Sequence, residues 1–207
     1  MRKNMLFISA LLCLTLVIGF SSCGKDEPET KEDLTEKEYT TSRKTDYGDD
    51  WIYFSFSQGK EVAVTEDNHK NDLSWDIAFN RYNIRTNSGK SGAGKGGAVS
   101  AGKVVLSSVI VAPTSGYTED SDFEISDKGT GLPPPTKMST ANTVLSKAIQ
   151  FAGPPPTYTP SNEIFVVKTA DGKYAKVHFT SYYDLKGNSG FITFKYVYQS
   201  DGSTDLK

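Results

Sequence analysis

Hydrophobic and polar residues alternate over several short stretches of the chain, which is typical of β-strands with one buried face. An aromatic run at Trp51–Phe56 is followed by a second apolar run at Leu73–Phe79. Two further runs, Ile164–Lys168 and Tyr174–Tyr183, flank an Asp-Gly pair, which is a strong signal for a hairpin turn. Phe191–Tyr198 forms the last run. The pattern predicts an all-β, mostly antiparallel fold.

The stretch from Pro113 to Pro160 breaks this pattern, because it has few strand signals and contains two proline triplets. Between the triplets, apolar residues recur at helical spacing over Thr140–Ala152, with Ser139 or Thr140 as the N-cap. The sequence therefore predicts one or two short helices in the loops on the ligand side of the strands. Such a segment either binds a ligand or covers one end of the sheet, and the pattern favours neither.

The N-terminal pattern predicts export and lipid anchoring. Two basic residues precede the apolar run Leu6–Phe20, which is too short to span a bilayer comfortably, and small residues come immediately before Cys23. We therefore expect residues 1–22 to be a lipoprotein signal peptide and the thiol of Cys23 to be acylated. An ordinary signal peptide before an incidental cysteine is the alternative. Residues 23–50 are predicted to be an acidic, flexible tether, and residues 51–207 a single β domain.

The residues after the acylation site indicate a location. Lys25 is followed by acidic residues, which resembles the signal that sends some lipoproteins to the outer face of Gram-negative outer membranes. A solvated spacer would have a similar composition. The expected location is the outer membrane, with the lipid anchor holding the protein at the cell surface.

Composition excludes several classes of function. The net charge of −2 and the pI near 5.7 argue against a nucleic-acid partner, which requires a basic face. The two histidines, His69 and His178, stand in a turn and a strand, and the acidic residues are scattered, so no catalytic set is apparent and we expect no enzyme. The glycine-rich loop, residues 87–97, contains Gly-Lys-Ser but has no glycine five positions earlier and no helix signal after it. It is therefore predicted to connect strands.

Three long blocks of the chain carry a family resemblance. They are Trp51–Val62, Lys70–Val99, and the pair Pro154–Tyr158 with Phe165–Val177. These blocks resemble the HmuY family of haem-binding lipoproteins, the haemophores, over nearly the whole predicted domain. The resemblance implies an all-β, hand-shaped domain that holds haem between two projecting loop regions. It also implies delivery of that haem to an outer-membrane receptor for import, without a catalytic cofactor.

The resemblance does not extend to the iron ligands. In the best-known members two histidines hold the iron, and in relatives the ligands resemble methionines. Here the segment that matches the second ligand position is Gln150–Gly153, in which neither Phe151 nor Ala152 can bind iron. In the first ligand region the candidate is Met138, whose thioether is a recognised axial haem ligand. Its alternative role is to pack as a hydrophobic staple before the predicted helix.

These observations leave two binding functions open, with an enzyme as a distant third. The first is a haem-binding lipoprotein whose pocket includes Phe151 and Tyr158, with Met138 as an iron ligand. The second is a lipoprotein of the same fold that has lost haem ligation and binds another ligand or a partner protein.

Overall fold

The structure is a computed structural model that describes residues 34–131 and 133–207. In this part of the chain most regular structure is strand, and the paired strands run antiparallel. The predicted all-β, mostly antiparallel fold is therefore confirmed. The predicted signal peptide and Cys23 lie outside the described residues.

Thirteen strands and two single-turn 3-10 helices form the described part of the chain. The strands are β1 (Lys37–Thr40), β2 (Ile52–Ser55), β3 (Lys60–Val62), β4 (Ile77–Asn80), β5 (Asn83–Thr86), β6 (Gly97–Gly102), β7 (Ser121–Ser126), β8 (Thr136–Ala141), β9 (Ile149–Ala152), β10 (Thr157–Pro160), β11 (Ile164–Lys168), β12 (Tyr174–Tyr183) and β13 (Ser189–Gln199). The 3-10 helices are Leu106–Ser108 and Leu145–Lys147. Within the described residues, no helix is both long and apolar enough to cross a bilayer.

Two larger sheets share the main hydrophobic core. One has the strand order β1-β13-β12-β11-β6, and the other has the order β3-β2-β4-β5. Aromatic side chains from both sheets meet in this core, where the ring of Phe194 lies 5.2 Å from that of Phe54 and 5.6 Å from that of Phe79. Each such ring removes a large apolar area from water, so these contacts contribute much of the stability of the fold.

Strand β2 is buried on both faces, which explains its dense aromatic sequence. Phe54 points into the main core, whereas Trp51 and Tyr53 pack in a second cluster with Trp75 and Ile125. Ile125 belongs to the β7–β8 hairpin, so this hairpin packs against the outer face of the four-stranded sheet.

The folded domain begins earlier than the predicted boundary at position 51. Strand β1, which lies within the predicted tether of residues 23–50, pairs with β13 in register from Lys37 opposite Tyr196. Tyr39 explains this pairing, because its ring lies 4.7 Å from Phe54 and its hydroxyl donates to Glu61. Packing of this one aromatic side chain thus holds an otherwise polar edge strand on the sheet. The prediction of a flexible tether is therefore wrong for the residues of β1.

The predicted helix over Thr140–Ala152 is also wrong. Strand β8 continues to Ala141, a single 3-10 turn follows at Leu145–Lys147, and β9 then begins at Ile149. The Asn142 side chain accepts hydrogen bonds from the backbone N–H groups of Val144 and Leu145, which holds the short turn. Leu145, Ala148 and Ile149 are all buried. The spacing of these apolar residues therefore resembles that of a helix, although only one turn is helical.

The glycine-rich loop, residues 87–97, is packed around one buried amide side chain. The Asn87 Nδ2 group donates to the backbone oxygens of Asp72 and Trp75, and its Oδ1 accepts the N–H of Gly94. A Cβ atom at Gly92 would lie 2.1 Å from Asn87 Oδ1, and one at Gly94 would lie 2.6 Å from Asn87 O. The glycines are therefore required by close packing, and β6 follows the loop, in agreement with the predicted strand connection.

We expect Gly94→Ala to lower the free energy of unfolding by about 2 kcal/mol, because the new methyl group meets backbone atoms of Asn87 and Ala170 that cannot move aside easily. Denaturant titration measures this change. Ala93→Ser, at an exposed position of the same loop, is the matched control and should change stability by less than about 0.5 kcal/mol. Equal stability of the two variants would contradict this packing argument.

Candidate functional site

Two hairpins outside the larger sheets, β7–β8 and β9–β10, border the candidate site. A cavity of about 450 Å³ lies between their ends and the β4–β5 turn, within the usual range for small-molecule sites. Its lining residues come from these three hairpins and from one preceding loop: Tyr47, Arg81, Tyr82, Ser126, Pro133, Pro134, Thr136, Phe151, Gly153, Pro154, Pro156 and Tyr158.

Aromatic rings form one wall of the cavity. The rings of Tyr82 and Phe151 are stacked, with centroids 6.0 Å apart and an interplanar angle of 3°, and the Tyr158 ring lies 5.4 Å from Phe151. Tyr158 is fixed from behind by the Tyr182 ring at 4.5 Å and by the Tyr183 hydroxyl, which accepts its backbone N–H. Phe151 nevertheless remains 51% exposed, so an apolar ring is open to a ligand.

Proline residues from both hairpins form much of the rim. Pro133 and Pro134 come from the β7–β8 connection, and Pro154 and Pro156 come from the β9–β10 connection. Because proline has no backbone N–H and a fixed φ, these residues make the rim apolar and restrict its conformations. The rim therefore suits a flat apolar ligand better than a sugar or a peptide, which would require many hydrogen-bond partners.

Arg81 is the cationic side chain among the described residues that line the cavity. Its guanidinium donates to Ser126 Oγ at 3.0 Å and to the Tyr158 hydroxyl at 3.1 Å, and it lies 4.1 Å from the centre of the Tyr47 ring. The side chain is buried, and no carboxylate of the described residues forms an ion pair with it. Burial acts to lower the pKa of Arg81, but the surrounding tyrosine hydroxyls, that of Tyr47 foremost, raise it overall, so the charge is retained.

The backbone at Arg81 is unusual for an arginine. Arg81 is the first residue of the two-residue turn between β4 and β5, where its φ is +49°. Hairpin turns of this kind usually place glycine or asparagine at such a position, because a side chain there is strained. The strained turn places the Arg81 guanidinium at the cavity. A turn with only a structural role would not require an arginine in this conformation.

The structure brings two of the sequence-predicted residues together and leaves the third apart. Phe151 and Tyr158 are opposite each other in the β9–β10 pairing, and both line the cavity. Met138 lies on β8 opposite Glu124 and is 66% exposed, two residues from the cavity-lining Thr136. No helix follows Met138 directly, so the hydrophobic-staple interpretation of this residue is wrong.

Neither histidine lies at the cavity. His69 is buried beside the second aromatic cluster, with its Nδ1 atom 2.6 Å from the backbone oxygen of Glu66, and burial lowers its pKa. His178 lies on β12 in a separate cleft with Glu36 and Lys195. Among the described residues, no cluster of three or more His, Cys, Asp or Glu side chains could hold a metal ion.

Arg85 positions the β7–β8 hairpin beside the cavity. Its guanidinium forms an ion pair with Glu66 at 2.8 Å and donates to Ser139 Oγ, while its Nε donates to the backbone oxygen of Thr140. The same guanidinium lies 3.8 Å from the centre of the Trp51 ring. These contacts hold β8 against the four-stranded sheet, so the position of the β7–β8 hairpin relative to that sheet is fixed.

Three residues of the cavity, Arg81, Tyr82 and Tyr47, are not among the site residues predicted from the sequence. Arg81 and Tyr82 form a two-residue connection between paired strands without the glycine that such a connection usually contains. That absence is the signal that could have identified them. Tyr47 precedes the domain boundary predicted from sequence, so it falls within the predicted tether.

Comparisons with known proteins identify similar folds. Residues 47–196 match the sequence profile of the family described as HmuY protein. No curated protein matches the chain in sequence. The solved structure of a Bacteroides vulgatus protein described as HmuY-like and haem-binding has 29% identity and a TM-score of 0.63, over 78% of this chain and 91% of that one.

Two further solved structures share the fold at lower identity. The apo HmuY analogue of Tannerella forsythia has 23% identity and a TM-score of 0.64, over 81% of this chain and 97% of that one. A Bacteroides fragilis protein described as a lipoprotein has 22% identity and a TM-score of 0.56, over 71% of this chain and 83% of that one.

Proposed function

The chain belongs to the HmuY family, and we propose that it binds haem in the cavity between the β7–β8 and β9–β10 hairpins. Its role is that of a binding protein that passes haem to an outer-membrane receptor for import. The similar Bacteroides vulgatus structure, described as haem-binding, supports this ligand. The composition of the cavity supports it independently.

The observation that carries the proposal is the combination of an open aromatic wall with one buried cation. Haem is a flat, largely apolar macrocycle that bears two carboxylates. The stacked rings of Tyr82 and Phe151 supply a flat apolar surface, and Arg81 supplies a positive charge that pairs with no carboxylate of the described chain. Burying apolar ligand surface stabilises the complex by roughly 25 cal/mol per Å². A charged hydrogen bond from Arg81 to a haem carboxylate also fixes the orientation of the ligand.

An absorption titration of haem into the purified chain tests the proposal. We expect saturable binding at one haem per chain, with a shifted and sharpened Soret band, in at least one oxidation state. Phe151→Ala removes the exposed ring and should weaken binding, whereas Leu185→Ala, at an exposed apolar position outside the cavity, should not. A titration with no saturable change in either oxidation state would contradict the proposal.

We further propose Met138 as the iron ligand from the protein. Its side chain is exposed, and it lies on the face of the β7–β8 hairpin that carries the cavity-lining Ser126 and Thr136. Thioether sulfur is a soft ligand that favours ferrous iron over ferric iron. The protein should therefore bind haem more tightly after reduction.

Met138→Leu should weaken the reduced complex by about tenfold, which is 1.4 kcal/mol, and should change the oxidised complex less. Leucine keeps the apolar volume but removes the sulfur, so the variant separates ligation from packing. Parallel titrations with ferric and dithionite-reduced haem measure both affinities. Equal affinities of the variant and the wild-type protein for reduced haem would exclude Met138 as a ligand. A bis-histidine spectrum of the wild-type protein would do the same.

A second candidate function is favoured by the residues that line the cavity. None of the described lining residues is histidine, methionine or cysteine, so this part of the cavity offers no strong iron ligand other than tyrosine. A chain of this fold without haem ligation would bind another flat, carboxylate-bearing ligand or a partner protein at the same place. Saturable binding of iron-free protoporphyrin with undiminished affinity, together with no spectral sign of iron ligation, would favour this second function.

We propose that the protein is held at the outer membrane, on the cell surface, by acylation of Cys23. The small residues before Cys23 support the acylation, and Lys25 with the acidic residues after it supports the location. The similar Bacteroides fragilis protein is described as a lipoprotein, which agrees with the acylation. Cys23→Ala should release the protein from the membrane fraction, which cell fractionation and immunoblotting detect. Ser22→Ala keeps a small residue before the cysteine and is the control. Unchanged membrane association of Cys23→Ala would contradict the lipid anchor.

A further inference from the structure

An apolar patch lies outside the cavity, on the segment that connects β6 and β7. We define the patch as Val104, Val105, Ile110 and Val111. The described chain has eight large apolar side chains that are exposed, and these four fall within eight consecutive positions. Val105 and Val111 are 68% and 57% exposed. Single exposed apolar residues need no explanation, but four of them on one short segment are a composition typical of an interaction surface.

The patch is held in place by buried neighbours. Leu106 is buried at the start of the 3-10 helix between the two halves of the patch, and Ala112 is buried directly after it. The C-terminal residues pair with this segment, since Leu206 donates its N–H to Ile110 O at 2.9 Å and Ala112 donates to Thr204 O at 2.8 Å. The exposed side chains are therefore presented by a backbone that is fixed on both sides.

The chain that leads to Cys23 enters the fold beside this patch. The backbone N–H of Leu34 donates to Lys207 O at 3.3 Å, and Lys207 directly follows Leu206, which pairs with Ile110. Eleven positions separate Cys23 from Leu34, and this length spans at most about 40 Å when fully extended. A lipid on Cys23 therefore holds Leu34 within that distance of the bilayer, so the patch beside Leu34 can reach the membrane surface.

We propose that the apolar patch contacts the surface of the membrane in which the protein is anchored. This inference rests on the proposed acylation of Cys23. Val104, Val105, Ile110 and Val111 insert into the boundary between headgroups and acyl chains, where short apolar side chains on a polar domain are stable. Lys103 and Lys207 flank the patch, are exposed, and can reach lipid phosphates.

The contact has a consequence for the binding site. None of the four patch residues lines the cavity, so docking on the membrane uses no residue of the proposed haem site. Because the anchor alone allows the domain to rotate, the patch supplies a second attachment that limits this rotation. A second attachment also strengthens the hold of a lipid anchor, since each adds to the free energy of membrane binding.

Fluorescence of a single labelled cysteine tests this proposal on the acylated chain in phosphatidylcholine–phosphatidylglycerol vesicles. Because Cys23 is blocked by the lipid and Cys13 is removed with the signal peptide, Val105→Cys provides the only free thiol for a polarity-sensitive dye. Leu185→Cys, at another exposed apolar position, is the matched control. We expect a blue shift and quenching by brominated lipids for the label at position 105, and neither change for the label at position 185.

Each other outcome overturns the proposal in a recognisable way. An acylated protein that floats with vesicles, but whose label at position 105 remains in water, overturns the membrane contact while leaving the anchor intact. Absence of acylation by mass spectrometry overturns both the anchor and the contact. A blue shift of the labelled Cys13→Ser, Cys23→Ala, Val105→Cys protein without vesicles shows that a second copy of the chain covers the patch, which also overturns the proposal. Haem binding is measured separately and does not depend on these results.

Discussion

Arg81→Met should lower the affinity of the protein for haem by about 10- to 100-fold. The guanidinium is buried at the cavity, held by Ser126 Oγ and the Tyr158 hydroxyl, and has no carboxylate partner among the described residues. A charge-assisted hydrogen bond to a haem carboxylate contributes about 1.5 to 3 kcal/mol, and methionine keeps much of the side-chain length without the charge. Equilibrium titration at the Soret band measures the loss.

Two controls separate a role in binding from a role in folding. Arg43→Met removes an exposed arginine that pairs with Asp50 outside the cavity, and it should leave haem affinity unchanged. Haem dimethyl ester lacks free carboxylates, so the wild-type protein should bind it as weakly as Arg81→Met binds haem. In Arg81→Met, esterification should cost little further affinity, because the partner charge is already absent. Additive losses from the substitution and the esterification would contradict a direct contact.

Asp76→Ala should lower the free energy of unfolding by about 4 kcal/mol. The buried carboxylate accepts the backbone N–H of Phe56 at 2.8 Å and that of Ala170 at 3.0 Å, so it links the end of β2 to the β11–β12 turn. Without it, two buried donors lose their partner, at about 1 to 3 kcal/mol each. Denaturant titration measures the change. Asp67→Ala, at an exposed position of the same loop region, is the control and should stay within about 0.5 kcal/mol of the wild type.

The same carboxyl group predicts a pH dependence. Burial raises the pKa of Asp76 to about 6, above its ordinary value of 3.8. The folded state therefore binds the proton more tightly than the unfolded state, and the part of the stability that comes from this preferential proton binding is lost as the pH rises from 3.8 through about 6. The stability of Asp76→Asn relative to the wild type should rise from pH 4 to pH 7. A difference between the two proteins that stays constant over this range would contradict the raised pKa.

The strands of the core could be predicted from the sequence because their local pattern agrees with their burial. Trp51–Phe56 is dense in aromatic residues since β2 is covered on both faces, and the Asp-Gly pair at Asp171 lies in the turn between β11 and β12. Strand β1 could not be predicted in this way. It is a polar edge strand whose position depends on the packing of Tyr39 against residues distant in sequence.

The helix prediction failed because buried residues can have a helical spacing over a short segment that is not itself a helix. Leu145, Ala148 and Ile149 are buried through a 3-10 turn and the start of a strand, so their spacing reflects tertiary contacts. Such contacts override local propensity, especially where prolines end the segment.

Only part of the candidate site could be predicted from the sequence. Phe151 and Tyr158 stand beside a proline triplet in a block that resembles the family, and both line the cavity. Arg81 has no local sign of function in the sequence except the absence of glycine from its turn. Its importance depends on Ser126 and Tyr158, which lie 45 and 77 positions away and meet it only in the fold.

The position of the iron tests the central claim most directly. Crystals of the protein grown with haem, measured at the iron absorption edge, give an anomalous difference map that locates the metal without reference to the protein density. We predict one iron peak per chain in the cavity between the β7–β8 and β9–β10 hairpins, with a haem carboxylate at the Arg81 guanidinium. An iron peak at His69 or His178, or haem-treated crystals with no iron peak, would contradict the account.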